Sequence, residues 1–197
     1  IERGMSLHEA EIDAITSNND APTFENVILA YDASGKMLSQ VELIFGMLCA
    51  AENTSEMQAL EEQIMPRMAA HADKILLNEK LFERVKAVYD RRDAAGLDSL
   101  QLRTLGKVYR SYIRGGALCT PGQKERLKEL NREISLKRIR HGQNITQATQ
   151  EFVLYVQDSS LLDGLAGTTR QRFARNAARQ GHQGVWAVGF TNGDYAS

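Results

Sequence analysis

Cysteine and long apolar runs are both scarce in this chain of 197 residues. The two cysteines, Cys49 and Cys119, are too few for a disulfide framework, so disulfides are not the source of its stability. Cys49 lies in an apolar helical pattern, and we expect it to be buried as a small hydrophobic residue rather than to be a reactive thiol. The most apolar run, residues 41–51, is much shorter than the roughly 20 residues of a membrane-spanning helix. We therefore expect no membrane segment.

The composition is typical of a folded globular protein, with 43% hydrophobic and 25% charged residues. The net charge of −1 hides an asymmetry, because the first 100 residues carry 9 basic and 18 acidic side chains and the remainder carry 15 and 7. Either the two halves pack together and neutralise each other, or the second half offers a basic face to nucleic acid or an acidic substrate. The near-zero net charge and the interspersed glutamates favour the first interpretation, so we expect no nucleic-acid partner.

Apolar residues recur at helical spacing over about three quarters of the chain. Ser34 and Gly35 interrupt the second predicted helix, where they indicate a close contact or a bend. Pro66 falls inside the third predicted helix and predicts a kink there. The expected helices cover 5–16, a long stretch from Thr23 to about 48, 55–76, 78–89, 98–113, and 120 to about 144, with a short one at 168–181.

Four of these helices have predicted N-terminal caps. The pairs that carry these capping patterns are Ser55 with Gln58, Asp98 with Gln101, Thr120 with Gln123, and Thr168 with Gln171. Asn78 is expected to cap a further helix, and Gly115 with Gly116 to end the helix from 98.

The pattern changes near residue 151, where strand-like runs replace helical spacing. Residues 152–156 and 185–190 predict two strands that flank the short helix, and their spacing is compatible with parallel or antiparallel pairing. The expected fold is mainly α, a bundle of about six to seven helices with one small strand pair near the C-terminus. The expected domains are a helical bundle at 1–150 and a strand-helix-strand appendage at 151–197.

No residue pattern indicates a metal site. The four histidines are far apart in sequence, and His8-Glu9 matches only the first half of a His-Glu-x-x-His zinc motif. Ile12 stands where the second histidine would be required, which favours core packing of this helix. His71 lies in a helix beside small residues, and we expect it to be packed or at the surface.

Other catalytic patterns are equally absent. There is no Gly-x-Ser-x-Gly turn, and neither cysteine has an evident histidine partner. The Gly115-Gly116 pair fits a helix end, and Gly181 with Gly184 fits a loop, so neither predicts a phosphate-binding turn. Glu61 and Glu62 are adjacent on a helix and point to different faces. We therefore expect no catalytic, cofactor-binding or metal-binding residue in this chain.

The run Pro-Thr-Phe-Glu-Asn at 22–26 resembles a segment of the thimet oligopeptidase, oligopeptidase A and peptidyl-dipeptidase Dcp family of zinc metallopeptidases. In that family the segment opens a long helix in the N-terminal half. The similarity covers nearly the whole chain and is closest to the peptidyl-dipeptidase branch. Further runs that are similar, in the same order, stand at 10–15, 65–71, 77–82, 114–117, 130–135 and 142–144.

The resemblance implies that this chain is the N-terminal helical fragment of such an enzyme and forms one wall of its substrate channel. Family members hold zinc through a His-Glu-x-x-His helix in the C-terminal part, which this chain lacks. The implied reaction is attack of activated water on a peptide carbonyl, with the glutamate of that motif as general base. Peptidyl-dipeptidases release dipeptides from the C-terminus of short peptides. The implied partners are the C-terminal catalytic domain of the same chain and short peptide substrates, and zinc is implied for the intact enzyme alone.

A second hypothesis is a stand-alone helical interaction module that uses the basic helix at 121–140. The gene sequence distinguishes the two hypotheses, because a reading frame that continues past Ser197 into His-Glu-x-x-His supports the first. The chain begins at Ile1 rather than methionine, which also fits a piece of a longer protein. The resemblance is compatible with a cytoplasmic or a periplasmic location, and the cytoplasm is the expectation.

Overall fold

The computed structural model describes residues 1–51 and 54–190, and most of these residues are helical. One small antiparallel sheet lies near the end of the described chain, so the expected mainly α fold with a single strand pair is confirmed. No helix within residues 1–51 and 54–190 has both the length and the apolarity of a membrane span. The elements are α1 (Glu2–Ser17), α2 (Ala30–Ala33), α3 (Lys36–Ala51), α4 (Ser55–Leu76), α5 (Glu79–Asp90), α6 (Ser99–Arg114), α7 (Pro121–Glu151), β1 (Leu154–Val156), α8 (Gly167–Arg179) and β2 (Trp186–Val188).

The chain forms two compact units, of which the first is Ile1–Lys137 and the second begins at Arg138. The expected division into functional domains at residue 150 stays a prediction. The core of the first unit is built from apolar residues of α1, α4, α5, α6 and the segment before α2. Its buried members are Ile12, Ile15, Val27, Ile28, Ile75, Leu81, Phe82, Val85, Val88, Leu105 and Tyr112.

The predicted helix from Thr23 to about 48 is divided in the structure, at Ser34 and Gly35, where the sequence indicated a close contact or a bend. A π-helical segment, Phe24–Leu29, leads into α2, and α3 begins only at Lys36. Between them Gly35 adopts a φ of 69°, a left-handed conformation that favours glycine. Its N–H donates to Oε2 of Glu11 at 2.7 Å, and a Cβ at this position would lie 3.0 Å from the His8 ring. The break therefore fits closely against α1.

Most predicted helix caps are present. The side chains of Asp98 and Gln101 exchange hydrogen bonds with each other's backbone N–H at 2.8 and 3.0 Å, as the capping pattern predicted. The Oδ1 atom of Asn78 accepts the N–H of Leu81 at 3.0 Å at the start of α5. The Thr120 hydroxyl accepts the N–H of Gln123 at the start of α7.

Two cap predictions need correction. The start of α4 is capped by Thr54, whose hydroxyl accepts the N–H of Met57 at 3.3 Å, one residue before the predicted Ser55. The start of α8 has Ala166 at the cap position and no side-chain cap bond, so the predicted role of Thr168 was wrong. Pro66 lies inside α4, as expected, and the kink there stays a prediction.

The second unit contains the two strands and α8. β1 and β2 pair antiparallel, with Leu154 opposite Val188, which settles the orientation that the sequence left open. Each strand is three residues long, shorter than predicted. α8 packs against β2 and buries Phe173 and Ala177.

Candidate functional site

Two histidines that are 63 positions apart in sequence meet in the first unit. Nε2 of His71 lies 3.0 Å from Nδ1 of His8, and the ring centroids are 5.1 Å apart. The other nitrogen of His8, Nε2, lies 3.3 Å from Oγ of Ser34. Nδ1 of His71 lies 3.4 Å from Oε1 of Glu9. We call these four residues the histidine cluster, and it joins α1, α4 and the segment before α3.

Burial and neighbouring charges set the protonation of the cluster. Burial lowers the pKa of His8, the nearby His71 lowers it further, and the carboxylates of Glu11 and Glu9 oppose both effects. The ammonium of Lys74 donates to Glu9 at 2.7 Å, and this bond lowers the pKa of Glu9. At neutral pH the cluster therefore combines an ionised Glu9 with a neutral His8.

The histidine cluster is better suited to holding helices together than to catalysis. The Ser34 hydroxyl donates its hydrogen bond to the carbonyl of Tyr31 at 2.7 Å and therefore does not donate to His8. His71 is 7% exposed, which leaves little room for a substrate. Within residues 1–51 and 54–190, no three His, Cys, Asp or Glu residues are grouped so as to hold a metal ion. The expectation that this chain holds no metal stays a prediction.

A groove of about 470 Å³ separates α4 from α7 in the first unit. Its small apolar residues, Pro66 and Ala70, come from α4, and charged side chains of both signs surround them. We call it the α4–α7 groove. Its lining residues are Pro66, Arg67, Ala70, Asp73, Glu125, Lys128, Glu129 and Arg132.

Polar bonds hold α7 in place beside this groove. Nδ2 of Asn131 donates to Oδ1 of Asp73 at 2.6 Å, and Asp73 is buried. Burial raises the pKa of Asp73, while the bond from Asn131 and the charge of Lys128 oppose that rise. Near the start of α7, the buried ammonium of Lys124 donates to Glu79 at 2.7 Å. The groove is therefore bordered by anchored side chains.

The cations of the groove differ in their partners. Arg67 pairs with Glu2 at 2.7 Å, and Lys128 pairs with Glu125 at the same distance. Arg132 is exposed and has no ion pair with any residue that the structure describes. It is therefore the groove cation that a ligand can engage without breaking an existing pair.

The remaining residues singled out from the sequence lie outside these features. Three basic residues of α7, Arg126, Lys128 and Lys137, form ion pairs with glutamates one turn away, as predicted for a solvated face. These pairs count against a dedicated nucleic-acid surface. Gly115 and Gly116 follow the end of α6, as expected. Cys49 is half-buried rather than buried, and burial followed by the charge of Glu61 raises the pKa of its thiol.

Comparison with known proteins found no matching family model. The chain is 34% identical over 191 residues to a dipeptidyl carboxypeptidase of Escherichia coli (strain K12), and 32% identical over 191 residues to that of Salmonella typhimurium (strain LT2). The chain is therefore related to the dipeptidyl carboxypeptidases. Each alignment covers 97% of this chain and 28% of the relative. The resemblance found from the run at 22–26 and its companions is thus confirmed, and the chain spans little more than a quarter of the length of these relatives.

Proposed function

We propose that this chain is the N-terminal, non-catalytic part of a longer zinc metallopeptidase that releases C-terminal dipeptides from short peptides. Its role there is to form a wall of the substrate channel. The observation that carries the proposal is the alignment with dipeptidyl carboxypeptidases over 97% of this chain but only 28% of their length. The match covers nearly all of this chain and therefore includes most of its helices.

The residues of this chain do not fit the implied zinc site. One ring nitrogen of His8 contacts one ring nitrogen of His71. The remaining nitrogen of His8 faces Ser34, and that of His71 faces Glu9. A catalytic zinc site needs three protein ligands and an open position. We therefore assign metal binding and bond cleavage to the remaining part of the longer protein, and substrate confinement to this part.

The α4–α7 groove is the surface of this chain that best suits contact with a peptide. Its apolar floor fits side chains, and its charges of both signs fit the carbonyls, amides and terminal groups of an extended chain. The guanidinium of Arg132 is suited to a peptide carboxylate because it presents several donors in a fixed fork. We propose that Arg132 contributes to peptide binding but not to the chemical step.

The test uses the longer protein expressed from its gene. Peptides with a free C-terminus should yield dipeptides that mass spectrometry identifies, and the same peptides with an amidated C-terminus should be cleaved much more slowly. Arg132→Ala should raise KM about tenfold, equal to about 1.4 kcal/mol, with kcat unchanged. Arg103→Ala is the matched control, since Arg103 is exposed on α6 and does not line the groove. A reading frame without His-Glu-x-x-His, or a protein that releases no dipeptide, would overturn the proposal.

A further inference from the structure

Apolar residues occupy more than one side of α3. Leu38 and Phe45 are buried on one face, where α3 packs against α1 and α4. The other face carries large apolar side chains that are exposed, and the helical spacing places them side by side. We call it the α3 outer face; it consists of Met37, Leu43, Ile44, Met47 and Leu48.

The exposure of this face is unusual for a helix. Isolated apolar side chains are common at protein surfaces, but contiguous apolar patches mark sites of interaction. Among the residues of the α3 outer face, Leu43 is 67% exposed, and no charged residue interrupts the group. A helix that is apolar around most of its circumference is normally buried on all sides. The α3 outer face therefore lacks a covering element within the part of the chain that the structure describes.

We propose that the remaining part of the longer protein, the part to which catalysis is assigned, packs on the α3 outer face. This inference rests on the proposed function. The relatives are several times the length of this chain, which supplies ample additional chain to cover the face. Permanent interfaces resemble a divided core and are depleted of charge, whereas transient ones are more polar. The uncharged α3 outer face has the character of a permanent interface.

The test measures side-chain protection in the unmodified longer protein by hydroxyl-radical footprinting with mass spectrometry. Leu43 is compared with Leu100 of α6, which is the same residue type and is 71% exposed. Each modification rate is divided by the rate in the denatured protein, and the sedimentation of the sample shows whether it is monomeric. We expect Leu43 to be protected at least tenfold in the monomer. Modification of Leu43 as fast as in the denatured protein would overturn the inference.

A second copy of the chain is the competing occupant. If protection of Leu43 appears only at concentrations where the longer protein dimerises and is lost on dilution, the face is a self-association surface and the inference is wrong. A peptidase assay on the same sample separates the two proposals. An active protein with an unprotected Leu43 leaves the proposed function standing and refutes the packing. An inactive monomer with a protected Leu43 supports the packing and refutes the function.

A pair of variants provides an independent measurement. Ile44→Gln should lower the denaturant midpoint of the longer protein, because a polar amide would replace an apolar side chain within the interface. Leu100→Gln, on an exposed position of α6, should leave the midpoint nearly unchanged. Equal midpoints for the two variants would contradict packing on the α3 outer face.

Discussion

Phe45→Ala tests whether the inner face of α3 is part of a folded core. Phe45 is 9% exposed and lies on the face of α3 that packs on its neighbours, yet it is outside the main cluster of buried residues. Leu43, only two positions away, is 67% exposed. Leu43→Ala is therefore a control in the same helix that changes helix propensity in the same direction.

The two substitutions should differ clearly in cost. Truncating a buried Phe to Ala costs about 3–5 kcal/mol, and the position of Phe45 at the edge of the core places it near the lower end. Alanine has a better helix propensity than phenylalanine, which reduces the loss of stability by about 0.5 kcal/mol. Since burying a Leu side chain contributes about 1.5–3 kcal/mol and a third of Leu43 is covered, Leu43→Ala should cost about 0.5–1 kcal/mol. The expected difference between the variants is about 2 kcal/mol.

Urea unfolding of the 197-residue chain, followed by far-ultraviolet circular dichroism, measures both costs. The midpoint of Phe45→Ala should fall well below that of Leu43→Ala while the slope with urea stays the same, because the same surface is exposed on unfolding. If the two variants unfold at the same midpoint, Phe45 does not lie in a packed core, and the assignment of an inner and an outer face to α3 is wrong.

Three further changes test the polar contacts. Burial lowers the pKa of His8 below its usual 6.5, so the unfolded chain takes up a proton at a higher pH than the folded chain does. The free energy of unfolding should therefore fall as the pH falls through 6.5, and His8→Gln should make this fall smaller. Lys124→Ala removes a buried stem and its bond to Glu79 and should cost about 1–2 kcal/mol by denaturant melting. Asp98→Ala removes a helix cap and should cost about 1 kcal/mol. The surface control Lys128→Ala should cost under about 0.5 kcal/mol, and an equal cost for all the variants would contradict these assignments.

Features that depend on local sequence were predictable. The start of α6 depends on Asp98 and Gln101, which lie three residues apart and satisfy each other's backbone donors. The sequence indicated a close contact or a bend at Ser34 and Gly35, but it did not show that the helix is divided there, because the apolar pattern resumes beyond these residues. The division depends on contacts of Gly35 with Glu11 and His8 of α1, and distant contacts leave no periodic trace in the sequence.

The same reason explains the two site features. His8 and His71 were each interpreted alone, and nothing in their separate surroundings predicts that their rings meet. The α4–α7 groove is lined by residues of two distant helices, and Asp73 on its wall accepts a hydrogen bond from Asn131, 58 positions away in sequence. In the second unit, both strands were predictable from composition, but their antiparallel pairing depends on how the chain returns through α8.

The apolar pattern of α3 shows why sequence alone misplaces part of a core. Phe45 and Leu48 both stand at apolar positions of the helical pattern, yet the structure buries Phe45 and exposes Leu48. Phe45 and Leu48 lie only about 60° apart around a helix with 3.6 residues per turn, but Leu43 lies roughly 160° from Phe45, so one neighbouring element does not cover the whole apolar surface. A helix with that much apolar surface needs neighbours on both sides, whereas α1 and α4 cover only the side that carries Leu38 and Phe45. The exposed side is therefore the surface on which we propose that the remaining part of the longer protein packs.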